Sequence, residues 1–451
     1  MKPALPARVA ILGGGPAGVT LAAELAGVDG LGITLLEKEE HLGGLHKTVI
    51  IDGCSYDIGT FLFRDDHEYF RAFPGFSAEF LPIDYRAASI RRHGSLDAYP
   101  MSLAGYARDY GFGELVLSLL DCLRCRVVHR RRDTLPAYVK YYLGERMYVR
   151  SGLKRYIERL YHTEDSNIDL LFAQQRLQSL PEHLSLRSIV DRLTLRLQGR
   201  GIRLGRPALR YVRPAAGFQR FYGAVEQHLT ERGVRVLTGR SIQQIQPRDG
   251  GFAIRFGDQV EHFDLIVSTI PVPTLAGYLD LPLDARFEYM KVISLFYRFR
   301  GNAGFDGHVL FNYSDGGLWK RVTRFSEYYG RHAGDEYFVV EVTTREPWDI
   351  TVESAREDFE QHARSLGLYQ GQLAYQGHAV TDNAYPLFHV DEIRRLNETK
   401  QRIRALGIHL VGRQGNFEYI SSWLTTLKAK ALAESIRGES AQQLQVKEPS
   451  L

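Results

Sequence analysis

Three glycines near the start of the chain have the spacing of a loop that holds a phosphate group. Gly13, Gly15 and Gly18 form the pattern G-x-G-x-x-G directly after an apolar run at residues 9–12, and residues 19–26 continue with helical spacing. In such a loop the first glycine permits a tight turn, the second lets the backbone approach a pyrophosphate, and the third lets the helix pack on the strand. The helix N-terminus adds unpaired N–H groups and the positive end of its dipole. The pattern therefore predicts a dinucleotide site.

An acidic side chain stands where the ribose of a dinucleotide is bound. Residues 33–37 form a second apolar run that ends in Glu37, about 20 residues beyond Gly18. A carboxylate at this place accepts hydrogen bonds from ribose hydroxyl groups and disfavours the 2′-phosphate of NADP. Strand, helix, strand and acid in this order predict a Rossmann-like domain.

A second glycine pair separates FAD from NAD as the predicted cofactor. Gly43 and Gly44 follow shortly after Lys38, and a pair at this place is typical of FAD-dependent proteins of the amine-oxidase and protoporphyrinogen-oxidase type. The physical reason is that the chain must turn back beside the phosphates of the cofactor. Residues 56–60, with Gly59 and Thr60, resemble the strand that passes the flavin in those proteins. We therefore predict FAD, with an ordinary loop as the alternative interpretation of the glycine pair.

The rest of the chain predicts an α/β fold in which the flavin domain is assembled from distant segments. Apolar runs at 265–271 and 408–415 predict strands that rejoin the first sheet, and 235–239, with Val236, predicts the strand beside the adenine. No second G-x-G-x-x-G is present. The predicted organisation is a discontinuous FAD-binding, glutathione-reductase-type Rossmann domain at 1–90, 230–278 and 400–440, a largely helical insertion at 100–215, a mixed or antiparallel substrate-side sheet at 280–399 and a polar tail at 441–451.

Over nearly its whole length, the order of elements resembles that of UDP-galactopyranose mutase. Residues 311–328 read F-N-Y-S-D-G-G-L-W-K-R-V-T-R-F-S-E-Y, and 382–393 read D-N-A-Y-P-L-F-H-V-D-E-I. Residues 411–419, V-G-R-Q-G-N-F-E-Y, resemble the flavin loop of that family. The resemblance implies that Arg321 grips the diphosphate of the substrate and that Tyr385 contacts phosphate.

The resemblance also implies a reaction and its partners. Reduced flavin N5 acts as the nucleophile on the anomeric carbon of a nucleotide sugar, and covalent catalysis then lets the sugar interconvert between pyranose and furanose. An arginine stabilises the departing diphosphate through charge-assisted hydrogen bonds. An external electron donor would reduce the FAD. The residues predicted to contact FAD are Gly13, Gly15, Pro16, Ala17, Gly18, Glu37, Lys38, Gly43, Gly44, Gly59, Thr60, Val236, Gly412, Arg413, Ser421 and Ser422.

Three departures from the family keep an alternative open. Phe61 stands where the family has a histidine, and Ser421 and Ser422 stand where it has Asp-Met at the start of the last helix. Residues 161–172, which correspond to the family's mobile lid, contain neither its tryptophan nor its second arginine. The alternative is an FAD-dependent oxidoreductase of the amine-oxidase or protoporphyrinogen-oxidase type that acts on a small molecule. A third possibility is a flavin-binding scaffold without turnover.

Composition narrows the class of protein. Hydrophobic residues make up 44% of the 451 residues, which favours a folded globular chain. The formal net charge of +4 lacks the basicity of a nucleic-acid binder, so we predict no such partner. With only three cysteines we expect no disulfide framework and a cytoplasmic location. No apolar run reaches about 18 residues, so we predict no transmembrane segment.

Two local features have competing interpretations. Cys122 and Cys125 form C-x-x-C, which is either half of a metal site or two small residues on a helix; because a matching second pair is lacking, we predict no metal. Residues 124–133, R-C-R-V-V-H-R-R-R-D, are the densest basic run. They fit a solvated helix end, or contact with a phosphate, an acidic partner or an anionic membrane surface. The sequence predicts no oligomeric state.

Overall fold

The computed structural model describes residues 8–178, 180–181, 209–346 and 350–438, so the predicted polar tail at 441–451 and part of the predicted helical insertion lie outside the described residues. The strands are β1 (Arg8–Leu12), β2 (Gly32–Leu36), β3 (Thr48–Ile51), β4 (Cys54–Asp57), β5 (Phe63–Arg64), β6 (Leu81–Ile83), β7 (Ala87–Ile90), β8 (Leu96–Ala98), β9 (Arg210–Val212), β10 (Arg235–Leu237), β11 (Ile242–Arg248), β12 (Gly251–Phe256), β13 (Gln259–Phe263), β14 (Leu265–Ser268), β15 (Glu288–Asn302), β16 (Val309–Asn312), β17 (Trp319–Arg324), β18 (Glu336–Thr344), β19 (Gln370–Leu387) and β20 (Ile408–Leu410).

The helices follow the same chain order. They are α1 (Pro16–Leu25), α2 (Glu68–Ala72), α3 (Leu103–Tyr110), α4 (Phe112–Val128), α5 (Leu135–Leu143), α6 (Glu145–Arg150), α7 (Leu153–Tyr161), α8 (Leu170–Arg176), α9 (Phe218–Glu231), α10 (Val272–Tyr278), α11 (Ser326–Tyr329), α12 (Val352–Ser365), α13 (Ile393–Ala405), α14 (Gly412–Gly415) and α15 (Ser422–Ile436), with short 3-10 turns at Pro74–Glu79 and Asp165–Asn167. In the described part of the chain, no helix has both the length and the apolar character needed to cross a bilayer.

A five-stranded parallel sheet carries the glycine loop. Its strand order is β10-β2-β1-β14-β20. Four of the five residues of β1 are fully buried, as expected for a central strand with helices on both faces. The strands predicted within 235–239, 265–271 and 408–415 are confirmed as β10, β14 and β20. Three separate segments thus build one Rossmann-like sheet.

A seven-stranded sheet positions the predicted catalytic residues. Its order is β19-β15-β18-β17-β16-β7-β8, and its pairs are antiparallel except for the parallel pair of β16 and β7. All nine residues of β18 are buried, because both faces of the sheet are covered. Since β7 pairs with β16, residues 87–90 belong to this sheet and not to the FAD-binding segment predicted over 1–90.

The segment predicted as helical contains α3 to α8 in its described part. It also contains a strand, because β9 pairs antiparallel with both β5 and β6 in a small three-stranded sheet. The strand forms through pairing with distant residues, which local periodicity does not report. A further antiparallel meander, β11-β12-β13, leads into β14.

Candidate functional site

The first glycine loop is held by close backbone packing. Gly13 has a φ of +101°, and its N–H donates a 2.8 Å hydrogen bond to the carbonyl of Leu36 on the neighbouring strand. A Cβ atom on Gly18 would lie only 1.9 Å from the carbonyl oxygen of Gly13. Glycine at both positions therefore lets α1 start directly behind β1. Pro16 and Ala17 begin the first turn of α1; proline has no N–H, and the N–H groups of the other residues in this turn have no intrahelical acceptor.

The second glycine pair turns back onto the first loop. The N–H of Gly43 donates a 2.9 Å hydrogen bond to the carbonyl of Gly14. A Cβ on Gly44 would lie 3.0 Å from the Cα of Gly15, whereas a Cβ on Gly15 would meet only Gly44 within 4 Å, at 3.7 Å. The open side of Gly15, beside the unpaired amides of α1, therefore fits a pyrophosphate, as the sequence predicts for FAD.

Glu37 lies where the adenosine part of the cofactor is expected. Its carboxylate is buried and accepts hydrogen bonds from the N–H of Gly14 at 2.7 Å and of Glu39 at 2.9 Å, which fix its orientation. Val236 lies on β10, the edge strand of the parallel sheet, and pairs with Leu35 of β2. Lys38 is exposed and lies 3.8 Å from Glu39, so its side chain faces solvent. The carboxylate of Glu37 retains lone pairs that can accept hydrogen bonds from ribose hydroxyl groups.

Arg321 is the centre of a buried charged cluster. It faces Glu341 across the pair of β17 and β18, and its guanidinium donates to both carboxylate oxygens, from Nε at 2.7 Å and Nη2 at 2.8 Å. Burial disfavours the charged form of Arg321, but the Glu341 carboxylate outweighs it and raises the pKa of the arginine. Burial likewise opposes ionisation of Glu341, and the charges of Arg321 and Lys320 lower its pKa. The pair is therefore charged on both sides.

Lys320 joins the cluster because β17 is irregular. Neighbours on a regular strand point to opposite faces, but the register shifts between Trp319 and Arg321, so both Lys320 and Arg321 reach Glu341. The Lys320 ammonium group lies 2.9 Å from Oε2 of Glu341 and donates to the hydroxyl of Tyr385 at 2.5 Å. Burial lowers the pKa of Lys320, and Glu341 opposes this shift.

The predicted flavin residues Gly59 and Thr60 lie against the same cluster. The Thr60 hydroxyl is hydrogen-bonded to the Thr323 hydroxyl and lies 3.4 Å from Oε1 of Glu341. A Cβ on Gly59 would lie 3.7 Å from Oε2 of Glu341. The structure thus brings two predicted cofactor residues beside the predicted catalytic Arg321, although more than 250 residues separate them in sequence.

Arg413 connects the phosphate loop with Tyr385. Gly412 has a φ of +87° and packs so closely on α1 that a Cβ there would lie 2.9 Å from the Cβ of Ala17. Arg413 donates two hydrogen bonds to the carbonyl of Ile420, at 3.1 and 2.7 Å, and its guanidinium lies 5.6 Å from the centre of the Tyr385 ring. The predicted flavin loop therefore lies between α1 and the predicted catalytic tyrosine.

The two serines stand at the start of the last helix, as predicted. Ser421 is the N-cap of α15, and its hydroxyl accepts a 3.2 Å hydrogen bond from the N–H of Leu424. The hydroxyl of Ser422 lies 3.3 Å from Nε2 of His67. Their contacts are thus with the helix and with a buried histidine that the sequence did not single out.

A histidine also lies beside Phe61, the residue that replaces the family's histidine. The His46 ring centre is 4.8 Å from that of Phe61 and stacks on Phe218 at 4.7 Å. Nδ1 of His46 is 2.8 Å from the hydroxyl of Tyr222. An imidazole is therefore present in this region, supplied from a different position in the chain.

Two buried histidines give the protein a predicted acid sensitivity. Burial lowers the pKa of both His46 and His67 to about 3 from an ordinary value of 6.5. The unfolded chain therefore binds protons that the folded chain does not as pH falls from 6.5 towards 3. We expect each histidine to reduce the free energy of unfolding by about 1.4 kcal/mol per pH unit in this window.

This prediction is checked by urea unfolding at several pH values between about 7 and 4. His46→Phe should lower the slope of the unfolding free energy against pH by the amount that corresponds to about one bound proton. His378→Phe, at an exposed position, is the matched control and should leave the slope unchanged. An unaltered slope in His46→Phe would contradict the assignment of a buried neutral imidazole.

Sequence reasoning missed Arg176, a further cation of the site. It ends α8, four residues beyond the stretch 161–172 in which a second arginine was sought. Its guanidinium lies 4.7 Å from the centre of the Tyr419 ring, which lies 5.0 Å from that of Tyr385. The position of Arg176 at a helix C-terminus gave no local motif, so only the fold reveals it.

An aromatic wall lies beside Arg321. The Tyr156 and Tyr313 rings stack with centres 4.7 Å apart, and Tyr313 stacks on Tyr99 at 6.1 Å. Tyr99 contacts Phe311 at 4.5 Å, and the Arg321 guanidinium lies 6.0 Å from the Phe311 ring. Burial raises the pKa of Tyr156, and the positive charge of Arg321 opposes this shift. The stack of tyrosines therefore continues through Phe311 to Arg321.

The C-x-x-C pair lies on α4, outside the group of residues around Arg321. Cys125 is fully buried, and Sγ of Cys122 donates to the carbonyl of Tyr142 at 3.3 Å. Within residues 8–178, 180–181, 209–346 and 350–438, no three His, Cys, Asp or Glu side chains are grouped to hold a metal ion. The contacts of the two thiols are those of residues packed on a helix.

One protein-family model matches the part of the chain that carries the glycine loops. A family model for an NAD(P)-binding Rossmann-like domain matches residues 11–75, which include both glycine loops and Glu37. No curated protein matches the chain in sequence.

Solved structures share the fold over nearly the whole chain. Reduced UDP-galactopyranose mutase is 16% identical with a TM-score of 0.77, covering 99% of this chain and 97% of its own. A protein from Exiguobacterium sp. 255-15 assigned as a protoporphyrinogen oxidase is 17% identical with a TM-score of 0.71, covering 96% and 99%. A triple mutant of putrescine oxidase is 14% identical with a TM-score of 0.65, also covering 96% and 99%. These likenesses confirm the predicted α/β fold.

Proposed function

We propose that this chain is an FAD-dependent enzyme of the mutase and amine-oxidase superfamily, and that it interconverts the pyranose and furanose forms of a nucleotide sugar. The observation that carries the proposal is an excess of positive charge around Tyr385 and Tyr419. Arg413 lies over both rings. Lys320 and Arg321 pair with Glu341, whose single buried carboxylate offsets part of the positive charge. Such a site favours an anionic substrate and disfavours a protonated amine.

Arg321 is the residue we assign to the leaving diphosphate. Its two hydrogen bonds to Glu341 fix the guanidinium plane and leave Nη1 free of a partner in that pair. A preorganised guanidinium stabilises charge that develops on a departing phosphate without needing to reorient. Arg176, on the other side of the Tyr385–Tyr419 pair, supplies a second cation for the same group.

Tyr385 is the residue we assign to phosphate contact and proton control. Its hydroxyl accepts from Lys320 at 2.5 Å and lies 3.5 Å from Oε2 of Glu341. Burial and the Glu341 charge raise the pKa of Tyr385, while Arg321 opposes the shift, so the hydroxyl stays protonated and can donate to a phosphate oxygen.

The aromatic wall is suited to the nucleoside part of the substrate. Tyr156 is the end ring of the stack with Tyr313, and its other face, which has no aromatic neighbour among the described residues, suits a nucleobase. When bound and reduced, FAD would supply the nucleophile that the resemblance implies, and Gly59, Thr60 and Arg413 are the residues we assign to contact with its flavin ring.

A second candidate function is supported by the same position. Phe61 and its neighbours Phe218 and His46 give this region an apolar lining without an exposed imidazole. Such a lining suits hydride transfer from a small molecule to FAD. The runner-up is therefore an FAD-dependent oxidoreductase of the amine-oxidase or protoporphyrinogen-oxidase type.

The two functions are separated by product analysis. The reduced holoenzyme is incubated without oxygen with UDP-galactopyranose and other nucleotide sugars, and products are resolved chromatographically. We expect a new isomer of unchanged mass that appears only after reduction of the flavin. The oxidised enzyme, tested in air with amines and porphyrinogens, should form no hydrogen peroxide. Peroxide formation without any isomer would replace the mutase proposal with the oxidoreductase.

A further inference from the structure

Helix α4 carries its apolar side chains on the outside. Most of the residues that face the protein are small or polar: Ser118 and Cys125 are fully buried, and Glu114 forms an ion pair with Arg146 of α6. The outward residues are large and apolar, and we name them the α4 apolar face: Phe112, Val116, Leu117, Leu119, Leu120, Leu123, Val127 and Val128. Exposure reaches 75% at Phe112 and 78% at Val127. A water-facing helix shows the opposite pattern.

Polar contacts fix this orientation. Glu114 accepts from Nε and Nη2 of Arg146, at 2.9 and 2.7 Å, and the Arg146 N–H donates to Asp121 at 2.9 Å. The hydroxyl of Ser118 is 2.8 Å from that of Tyr106. Rotating α4 to bury its leucines would break these buried contacts, which is costly. The α4 apolar face is therefore built to stay outward.

A basic groove continues the face at the C-terminal end of the helix. It has a volume of about 600 Å³, and three arginines outnumber one carboxylate in its lining, which consists of Val127, Val128, His129, Arg130, Arg131, Arg132, Asp133 and Ala137. Arg132 is held by Tyr142, to whose hydroxyl it donates at 2.9 Å. Arg130 and Arg131 are exposed and form no ion pair within the described residues. The groove thus offers apolar and cationic groups side by side.

We propose that α4 lies on the surface of an anionic lipid bilayer, with the α4 apolar face among the acyl chains and the basic groove at the headgroups. An amphipathic helix combined with adjacent arginines has the two signals that stable interfacial binding needs. Charge complementarity favours lipid phosphate over a second copy of this chain, because a symmetric contact through α4 would bring the same arginines together. This inference is independent of the proposed reaction.

Vesicle sedimentation of the full-length holoprotein tests the proposal. Vesicles of phosphatidylcholine with about 30% phosphatidylglycerol should sediment most of the protein, and pure phosphatidylcholine much less. Leu120→Glu/Leu123→Glu should weaken binding to both vesicles at least tenfold. Arg130→Glu/Arg131→Glu should remove the preference for the anionic vesicles. Raising the salt concentration should have the same effect as the arginine variant.

A matched control uses apolar residues with similar exposure elsewhere. Val260→Glu/Val380→Glu alters two half-exposed valines on strands and should bind vesicles like the wild type. Light scattering decides what covers the face if vesicles are not bound. A dimer that Leu120→Glu/Leu123→Glu converts into a monomer would overturn the proposal in favour of a second copy. A monomer that binds neither kind of vesicle would overturn the proposal as well.

Discussion

Replacing Arg321 by alanine is expected to reduce turnover by about 100- to 1000-fold while FAD stays bound. The reason is that the side chain stabilises charge on the departing diphosphate, and loss of one preorganised donor of this kind costs about 2.7–4 kcal/mol. Arg321 lies beside Gly59 and Thr60 but on a different sheet from the glycine loops that are predicted to hold the cofactor phosphates. The measurements are kcat with the nucleotide sugar and the FAD content of the purified variant.

The variant leaves the buried Glu341 with Lys320 as its charged partner, so folding must be checked separately. Arg321→Lys keeps a positive charge without the bidentate geometry and should retain an intermediate activity. Arg394→Ala, at an arginine whose side chain is 83% exposed, is the control and should be fully active. Loss of FAD from the alanine variant, or unchanged turnover, would contradict the role assigned to Arg321.

Gly15→Val is expected to weaken FAD binding by about 100-fold and leave the protein folded. Gly15 has a φ of −74°, which valine adopts without strain, and a Cβ there would meet only Gly44 at 3.7 Å. The added methyl groups would instead occupy the open side assigned to the pyrophosphate, and overpacking of this kind costs roughly 1–3 kcal/mol. Flavin fluorescence on titration of the apoprotein measures the effect.

Gly223→Val is the matched control for this change. Gly223 lies on the exposed side of α9, and a Cβ there would meet nothing within 4 Å. Its FAD affinity should equal that of the wild type, and both variants should keep the circular dichroism of the parent. If Gly15→Val bound FAD normally, the pyrophosphate would not lie above this loop.

The cofactor half of the site is predictable from sequence because its parts are local. Gly13, Gly15, Gly18 and Glu37 fall within one strand-helix-strand unit, and the backbone geometry that they allow determines the loop. The structure adds why Gly44 is needed, since its backbone packs on Gly15.

The reaction half of the site was predicted only in part, because strand register determines it. Arg321 and Tyr385 follow from the resemblance, but Glu341 becomes their partner through the pairing of β17 with β18. Lys320 joins through an irregularity of β17 that periodicity does not reveal. Arg176 reaches Tyr419 only because α8 folds back onto the site.

Periodicity predicted helices in the insertion but not the direction in which each one faces. In α4 the apolar residues repeat with helical spacing, which normally marks the buried side. The structure places the opposite side inward, because Glu114 and Asp121 pair with residues of α6 and its neighbours. Only tertiary contacts distinguish a core face from an interaction face.

A direct reaction between reduced FAD and a nucleotide sugar in this site is tested by one measurement. The holoenzyme is reduced with dithionite without oxygen, mixed with a panel of nucleotide sugars and treated with cyanoborohydride, and the flavin is then weighed by mass spectrometry. We expect a flavin heavier by one sugar unit with the true substrate, and much less of this flavin adduct in Arg321→Ala. A flavin of unchanged mass across the panel would contradict a direct reaction with the sugar and direct the search to hydride donors.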